Sequence, residues 1–204
     1  MPDNSQHEFL SIELNPHLLS TPFGVQTNWH VITGAPSCGK TTLINLLAEN
    51  GFQTAPEGAR IYMEREIASG RTHDEIRANM SALQRGIKNT QLEIESNLQP
   101  ADPIFLDRGV PDTLAWYRIF GMDPNEFLLD CFCHRYASVF ILDQLPLDLD
   151  GYRFEDVTDT GYLDAWHRRD YTALGYSISG VPVLPPEDRL IFVLDKLSER
   201  GLFG

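Results

Sequence analysis

The chain has 204 residues, 42% of them hydrophobic, which predicts one globular domain with a sizeable core. Its 16 basic and 29 acidic residues leave a net charge of −13, which argues against nucleic acid and an anionic membrane surface as partners. The N-terminus is too polar for a signal peptide, no apolar run approaches the roughly 20 residues of a membrane span, and three irregularly spaced cysteines indicate a reducing, cytoplasmic location.

The first predicted elements surround a glycine-rich loop. Residues 1–28 contain prolines and lack clear periodicity, so we interpret them as an N-terminal extension with an edge strand at residues 9–14. The domain itself is predicted to cover residues 29–204. Its first strand is the apolar run at residues 29–33, and an amphipathic helix follows the loop and stops at Gly51. A second strand at residues 51–55 leads into a helix that extends through Glu66.

The remaining elements continue the alternation of strands and helices. Thr72 and Glu75 have the spacing of a capping box, and apolar residues at helical intervals behind them predict one long helix that ends before Pro100. The acidic segment 143–160 has no regular pattern and is interpreted as a mobile lid. The pattern predicts an α/β fold with a five-stranded parallel sheet flanked by helices. Further strands are predicted at residues 104–107, 137–142 and 180–184, and further helices at residues 109–121, 123–134, 162–176 and 186–200.

The loop between the first strand and the first helix carries a phosphate-binding motif. Residues 34–41 read GAPSCGKT and match G-x-x-x-x-G-K-[ST] without departure. Glycines let backbone amides approach phosphate oxygens, and the helix N-terminus adds partial positive charge. Lys40 is expected to reach the β- and γ-phosphates, and the Thr41 hydroxyl to hold Mg²⁺. We therefore predict ATP and Mg²⁺ as cofactors, with the nucleotide bound by consecutive residues: Gly34, Ala35, Pro36, Ser37, Cys38, Gly39, Lys40, Thr41 and Thr42.

Two further strand ends supply candidate catalytic residues, because ligands bind at the carboxyl ends of parallel strands. Asp107 would lie beside the loop and hold Mg²⁺ through water, and Arg108 would neutralise charge on a transferring phosphoryl group. The alternative role for Asp107 is a helix cap. Glu57 would face the same pocket and accept a proton from a substrate hydroxyl, with Arg60 one helical turn away. The alternative for Glu57 is a solvated glutamate in the first turn of a helix.

Several segments resemble a known family. Residues 34–42, APEGAR at 55–60, FLDRGVPD at 105–112 and LGYSISGVPVLPPEDR at 174–189 are similar to the small P-loop ATPases that include the ribosylnicotinamide-kinase-like domains. Deoxynucleoside and thymidylate kinases are more distant relatives. The resemblance covers about residues 29–200 and implies a nucleoside-kinase-like fold. It also implies Glu57 as the catalytic base, Asp107 and Arg108 as the acidic-arginine element, and Arg153 as a residue of a flexible lid.

Other side chains have more than one interpretation. The predicted lid carries a single arginine, so Arg168 and Arg169 on the next helix are candidates for further positive charge, with a solvated helix face as the alternative. Trp116 and Tyr117 are interpreted as core residues, with stacking on a base as the alternative. His30 is interpreted as a core residue whose ring nitrogens are satisfied by hydrogen bonds.

Three functions compete on this evidence. The first is a kinase that transfers the γ-phosphate of ATP to a hydroxyl of a small, nucleoside-like molecule, with Lys40, Glu57, Asp107, Arg108 and Arg153 as catalytic residues. The second is an NTP-hydrolysing switch that acts on a macromolecular partner. Such a switch is expected to carry two carboxylates at the end of the third strand, and the Asp-Arg pair at residues 107–108 argues against it. The third is a degenerate nucleotide-binding module, against which the intact loop argues. No base-reading motif distinguishes ATP from GTP, and the oligomeric state, a homo-oligomer included, stays open.

Overall fold

The centre of the fold is a sheet of apolar strands. A computed structural model describes residues 11–145 and 157–201. The strands are β1 (Val25–Gln26), β2 (Trp29–Thr33), β3 (Gln53–Ala55), β4 (Ile104–Asp107), β5 (His134–Arg135), β6 (Ser138–Leu142) and β7 (Ile178–Val181). β1 pairs with β5, and the others form a five-stranded parallel sheet in the order β3-β4-β2-β6-β7. Every residue of β2, β4 and β6 is buried, as expected for strands covered on both faces. The predicted parallel sheet is confirmed.

Helices connect these strands and cover the two faces of the sheet. They are α1 (Lys40–Glu49), α2 (Gly58–Ala68), α3 (His73–Arg77), α4 (Met80–Ser96), α5 (Asp112–Ile119), α6 (Val157–Ala173) and α7 (Pro186–Glu199). Successive residues of a strand point to opposite faces. Ile32 therefore packs with Leu43 of α1 and Val193 of α7, whereas Val31 packs with Leu114 of α5. None of the described helices is long and apolar enough to cross a membrane.

The predicted capping box is confirmed, but the helix behind it is interrupted. The Thr72 hydroxyl accepts a hydrogen bond from the Glu75 amide, and the Glu75 carboxylate accepts one from the Thr72 amide. That helix, α3, ends at Arg77. The side chain of Asn79 then accepts a hydrogen bond from the Ala82 amide at 2.9 Å and begins α4. The prediction of one continuous helix is wrong, because a second N-cap residue starts a new helix.

The helix predicted at residues 123–134 is also wrong. Two short 3₁₀ helices, Pro124–Glu126 and Leu128–Phe132, occupy this segment, and β5 follows them. Asp123 caps the first by accepting a hydrogen bond from the Asn125 amide at 2.9 Å. The pairing of β5 with β1 joins segments more than a hundred residues apart, so local periodicity could not reveal it.

The two outermost strand predictions need smaller corrections. The edge strand predicted at residues 9–14 is not found in its described part, residues 11–14, and the N-terminal segment pairs at β1 instead. The last strand was predicted at residues 180–184, but β7 covers Ile178–Val181. Pro182 follows directly and has no N–H with which to continue the ladder.

A buried ion pair attaches the N-terminal segment to α5 and α6. Arg118 donates to both carboxylate oxygens of Asp170, at 2.7 and 2.9 Å, and these side chains are 0% and 1% exposed. The Arg118 Nε donates to the carbonyl of Ile12 at 2.7 Å, and its guanidinium carbon lies 3.9 Å from the ring centre of Trp166. The backbone before β1 is thus held by side chains from the domain. The division between an extension at 1–28 and a domain at 29–204 stays a prediction.

His30 in β2 makes stability depend on pH. Its Nδ1 lies 2.8 Å from Ser138 Oγ, and burial, together with the charge of Arg200, lowers its pKa from 6.5 to about 4. The unfolded chain therefore binds a proton below pH 6.5 that the folded protein rejects until about pH 4, so the free energy of unfolding falls as the pH decreases through this range. This loss is expected to reach about 2 kcal/mol at pH 5.

We expect His30→Gln to remove this part of the pH dependence, because glutamine does not titrate. Urea unfolding of the wild type and the variant at pH 7.5 and pH 5 measures the effect. His73→Gln is the matched control, since His73 is an exposed residue at the first position of α3. An equal loss of stability in the wild type and His30→Gln would contradict the prediction.

Candidate active site

The loop between β2 and α1 has the backbone of a phosphate-binding loop. Gly34, Ser37 and Gly39 have φ angles of 142°, 63° and 93°, in the region that favours glycine. A Cβ atom on Gly34 would lie 2.8 Å from the Leu142 carbonyl oxygen, so no larger residue fits there. Gly39 is the N-cap of α1 and supplies no side-chain cap, which leaves the first amides of the helix to another acceptor. An anion is the acceptor that this helix end favours.

Lys40 is held inside the loop. Its side chain is buried, and Nζ donates to the carbonyl oxygens of Gly34 at 3.1 Å and Ala35 at 2.8 Å. The Sγ of Cys38 lies 3.6 Å away. Burial, with the nearby charge of Arg108, lowers the pKa of Lys40. The loop thus keeps a desolvated cation at its centre, and its hydrogen-bond partners among the described residues are two carbonyl oxygens and a thiol.

A cavity of about 190 Å³ brings predicted metal-binding and catalytic residues together. Thr41, Asn45, Glu57, Arg60 and Asp107 all line it. Asp107 is 5% exposed, and its Oδ1 has no hydrogen-bond partner among the described residues. Burial, with the charge of Glu57, raises the pKa of Asp107 to about 6. An unpartnered carboxylate oxygen beside a threonine hydroxyl is a donor set that suits Mg²⁺.

Arg108 connects the phosphate loop to Glu57. It is the first residue after β4 and has a positive φ of 72°, which is unusual for arginine. Its Nε donates to Glu57 Oε1 at 2.8 Å, and its Nη1 donates to the Gly34 carbonyl at 3.1 Å and to Asp112 Oδ1 at 3.0 Å. Burial alone would lower the pKa of Arg108, but Glu57, Asp112 and Asp107 outweigh it and raise the pKa. The guanidinium is therefore a fixed positive charge.

Gln91 of α4 fixes the turn that carries Glu57. Its Oε1 accepts a hydrogen bond from the Gly58 amide at 3.1 Å, and its Nε2 donates to the Arg108 carbonyl at 3.2 Å and to Glu95 Oε1 at 3.1 Å. One amide side chain thus joins the backbone on either side of the Glu57–Arg108 ion pair. A Cβ atom on Gly58 would lie 2.8 Å from Gln91 Oε1 and 3.1 Å from its backbone nitrogen, so α2 and α4 meet without space between them.

We expect Gly58→Ala to destabilise the protein by about 1–3 kcal/mol, the usual cost of forcing a methyl group into a closed contact. Gly161→Ala is the matched control, because Gly161 also lies in a helix but a Cβ atom there meets nothing within 4 Å. That variant should be neutral or more stable by about 0.5–1 kcal/mol. Denaturant unfolding measures both changes. Equal stability of the two variants would show that α2 and α4 can separate freely.

A larger cavity of about 450 Å³ opens on the other side of Glu57. Glu57, Arg108 and Asp112 line it together with Gln84 and Gln91 of α4. Gln84 is 5% exposed, and its side chain makes no hydrogen bond to another described residue. Most of the remaining wall is apolar and comes from α2, α4, α5 and the residue after α5: Met63, Met80, Leu83, Ile87, Trp116 and Phe120. Such a wall with few polar groups is typical of a small-molecule site.

A third cavity of about 120 Å³ adjoins the phosphate loop. Gly39, Thr42, Leu184, Pro186 and Arg189 are among its lining residues. Arg189 is 3% exposed, and its Nη1 donates to the Cys38 carbonyl at 2.6 Å. This arginine supports the loop from α7.

The chain matches a family model described as AAA domain over residues 29–189. It belongs to the AAA domain family. No curated protein matches it in sequence. The family match agrees with the intact phosphate loop and confirms the resemblance to P-loop ATPases.

Solved structures of kinases share the fold. NadR protein in complex with NR superposes with a TM-score of 0.63 at 20% identity, covering 85% of this chain and 51% of that chain. The chain therefore spans about half the length of NadR. Thymidylate kinase from Ehrlichia chaffeensis gives 0.58 at 15% identity, covering 83% and 97%. Deoxyadenosine kinase from M. mycoides gives 0.56 at 14% identity, covering 84% and 98%. The predicted nucleoside-kinase-like P-loop fold is confirmed.

The structure brings most of the predicted site residues together. Glu57 lines both the larger and the smaller cavity, Arg108 lines the larger one, and Thr41, Arg60 and Asp107 line the smaller one. Gly39 and Thr42 of the loop line the third cavity. Arg168 instead pairs with Asp143 and Asp164, and Arg169 with Glu13. The predicted lid residue Arg153 lies outside the described residues, as does most of segment 143–160, although α6 already begins at Val157.

Sequence reasoning missed several residues of this site: Gln84, Gln91, Asp112 and Arg189. A signal existed for the two glutamines, because they are seven residues apart on one predicted helix and therefore share a face with Ile87 between them. Of the two aromatic residues left open, Trp116 lines the large cavity and Tyr117 is buried against Phe127. No local pattern distinguished Trp116 from Tyr117, since both are aromatic residues of the same predicted helix.

Proposed function

We propose that this protein is a kinase that transfers the γ-phosphate of ATP to a hydroxyl group of a small, nucleoside-like molecule. One observation carries the proposal: Glu57 lines both the cavity beside the phosphate loop and the large apolar cavity. A carboxylate at the junction of a phosphate site and a small-molecule site is where a base for an acceptor hydroxyl would stand. The family match and the fold shared with kinases support the same reaction class.

The nucleotide would bind along residues 34–42. Backbone amides of the loop and of the α1 N-terminus would hold the phosphates, and Lys40 would turn from the carbonyls of Gly34 and Ala35 to phosphate oxygens, which are stronger acceptors. The third cavity, with Leu184 and Pro186 in its wall, is a suitable place for the purine ring of the nucleotide. We expect ATP to be the phosphate donor, and the transfer experiment below compares it with GTP.

Thr41 and Asp107 would hold Mg²⁺ together with the phosphates. The donor set fits, since Asp107 Oδ1 is buried without a hydrogen-bond partner in the described chain. No group of three or more His, Cys, Asp and Glu side chains within residues 11–145 and 157–201 forms a metal site, so the phosphates would complete the coordination. The ion would neutralise charge on the phosphate oxygens when bound.

Glu57 would orient the acceptor hydroxyl and take its proton, and Arg108 would neutralise charge on the transferring phosphoryl group. The geometry supports both roles, because Arg108 reaches Glu57 at 2.8 Å and the loop carbonyl of Gly34 at 3.1 Å. A group so placed acts by positioning and by electrostatic stabilisation, the two main contributions to phosphoryl transfer.

The acceptor would be an unphosphorylated molecule with a flat ring. The ring would lie between the apolar side chains of α2, α4 and α5, and the Gln84 amide offers one donor and one acceptor group to its edge. Among the described charged groups of this cavity, Arg108 is already paired with Glu57 and Asp112, and Arg77 is exposed at the wall. A second phosphate would therefore meet no buried cluster of free cations. In related folds, NadR binds NR and the deoxyadenosine kinase binds dCMP as a product.

Phosphate transfer to a panel of acceptors tests the proposal. Radiolabelled ATP or GTP with Mg²⁺ is incubated with nucleosides, sugars and the corresponding nucleoside monophosphates, and the products are separated. We expect transfer to at least one nucleoside-like compound and none to its monophosphate. The absence of transfer to any compound would overturn the kinase proposal, and transfer to monophosphates alone would overturn the unphosphorylated acceptor.

A further inference from the structure

Asp112 is a buried carboxylate at which four parts of the fold meet. It is the first residue of α5 and is 3% exposed. Its Oδ1 accepts hydrogen bonds from Arg108 Nη1 at 3.0 Å and from the Thr33 hydroxyl. Its Oδ2 accepts from the Gly109 amide at 3.0 Å and from the Tyr171 hydroxyl of α6 at 2.6 Å. Both oxygens are thus satisfied by donors from the protein itself.

We propose that Asp112 is a positioning residue that holds the Arg108 guanidinium at the phosphoryl-transfer site, an inference that rests on the proposed kinase function. Arg108 has a carboxylate on either side: Glu57 at Nε and Asp112 at Nη1. Nη1 also donates to the Gly34 carbonyl, the first residue of the phosphate loop. The bond to Asp112 directs this edge of the guanidinium toward the loop.

Glu57 alone would hold Arg108 differently. Without a second carboxylate, the guanidinium fork favours a bidentate pair with one carboxylate, so it would rotate toward Glu57. The arginine would then leave the loop, and both oxygens of the proposed base would be engaged. Asp112 prevents this by competing for Nη1, which leaves Glu57 with one bond from Arg108.

The surroundings keep Asp112 charged and fixed. Burial alone would raise its pKa, but His167 in its protonated form, Arg108 and the hydroxyls of Thr33 and Tyr171 together lower it. His167 Nε2 lies 3.8 Å from Asp112 Oδ1, and burial lowers the pKa of this histidine to about 4. At neutral pH the imidazole is uncharged, so Arg108 is the cation that faces Asp112. Thr33 precedes the phosphate loop directly, which couples the carboxylate to the loop as well as to Arg108.

Binding of a transition-state mimic tests this role. The probe is Mg·ADP with and without aluminium fluoride, in the presence of the acceptor from the panel, with affinity measured by calorimetry. Aluminium fluoride should strengthen ADP binding to the wild type, because it mimics the transferring phosphoryl group that Arg108 would contact. We call this increase in ADP affinity the fluoride gain. In Asp112→Asn we expect that gain to fall by about tenfold to 10²-fold, as for a misplaced catalytic group, while affinity for ADP alone changes by less than about threefold.

A double-mutant cycle separates positioning from a merely structural role. In the Arg108→Ala background, Asp112→Asn should cause no further loss of the fluoride gain, because a residue that acts through Arg108 has nothing left to position. Tyr171→Phe removes one hydrogen-bond donor to Asp112 and should lower the fluoride gain by about threefold. This variant replaces Asp112→Asn in the experiment if Asp112→Asn does not fold. Tyr176→Phe is the control, since within the described chain the hydroxyl of Tyr176 is hydrogen-bonded only to backbone atoms of Tyr136 and His134, both at 3.4 Å.

The outcomes are distinct. A full fluoride gain in Asp112→Asn, or in Tyr171→Phe where only that variant folds, would overturn the positioning role. The same loss of gain in the wild-type and Arg108→Ala backgrounds would assign Asp112 to structure alone and also overturn it. A wild type without any fluoride gain would instead count against phosphoryl transfer itself, and the inference would fall with the proposed function.

Discussion

Replacing Glu57 by glutamine is expected to lower phosphate transfer to the acceptor by about 10²–10⁴-fold while the affinity for Mg·ATP changes by only a few-fold. Glutamine keeps the size of the side chain but removes the basic carboxylate. The nucleotide site should survive, because Asp112 and the Gly34 carbonyl still hold Arg108. The loss should therefore appear in kcat and in kcat/KM for the acceptor, with little change in nucleotide binding.

The measurement compares initial rates of transfer with calorimetric affinity for Mg·ATP. Glu64→Gln is the matched control: Glu64 lies on α2, the helix that directly follows Glu57, but it is exposed and lines neither cavity beside Glu57. It should transfer phosphate at the wild-type rate. Wild-type turnover in Glu57→Gln would remove this residue from the mechanism. If no acceptor is phosphorylated but a protein or nucleic acid stimulates hydrolysis, the NTP-hydrolysing switch becomes the better description.

Removing the Lys40 side chain is expected to weaken Mg·ATP binding by roughly 2 kcal/mol or more, about 30-fold, the size of a lost charge-assisted contact. Lys40 is buried in the loop and satisfied by the carbonyls of Gly34 and Ala35. Neutral carbonyls are weaker partners for a cation than phosphate oxygens, so the ammonium gains most when a triphosphate arrives. Lys40→Ala takes away this gain.

Calorimetry with Mg·ATP measures the Lys40→Ala effect, and denaturant unfolding without nucleotide verifies that the variant is folded. Lys196→Ala is the matched control, because it changes the net charge by the same amount but removes an exposed ion pair with Glu199 on α7. Its affinity for Mg·ATP should equal that of the wild type. Unchanged binding in Lys40→Ala would contradict the phosphate-loop interpretation.

The chain alone was enough to predict the phosphate loop and the sheet. The loop motif is contiguous, and its eight successive residues specify the local backbone geometry. The central strands were also predictable from the sequence, because strands buried on both faces are continuous apolar runs. Such a run can be recognised without knowing which strand it pairs with. The Thr72–Glu75 capping box was predictable for the same reason, as both partners lie within one turn.

The tertiary structure decided what depends on segments that are distant in the sequence. Two 3₁₀ helices and β5 occupy the segment predicted as a helix at 123–134, and the partner of β5 is β1, more than a hundred residues earlier in the chain. Arg108 pairs with Glu57, 51 residues away in the sequence, only because the ends of β3 and β4 meet at one edge of the sheet. Local propensity and spacing carry no information on such contacts, since hydrogen bonds between distant side chains form only once the packed backbone has placed them within reach.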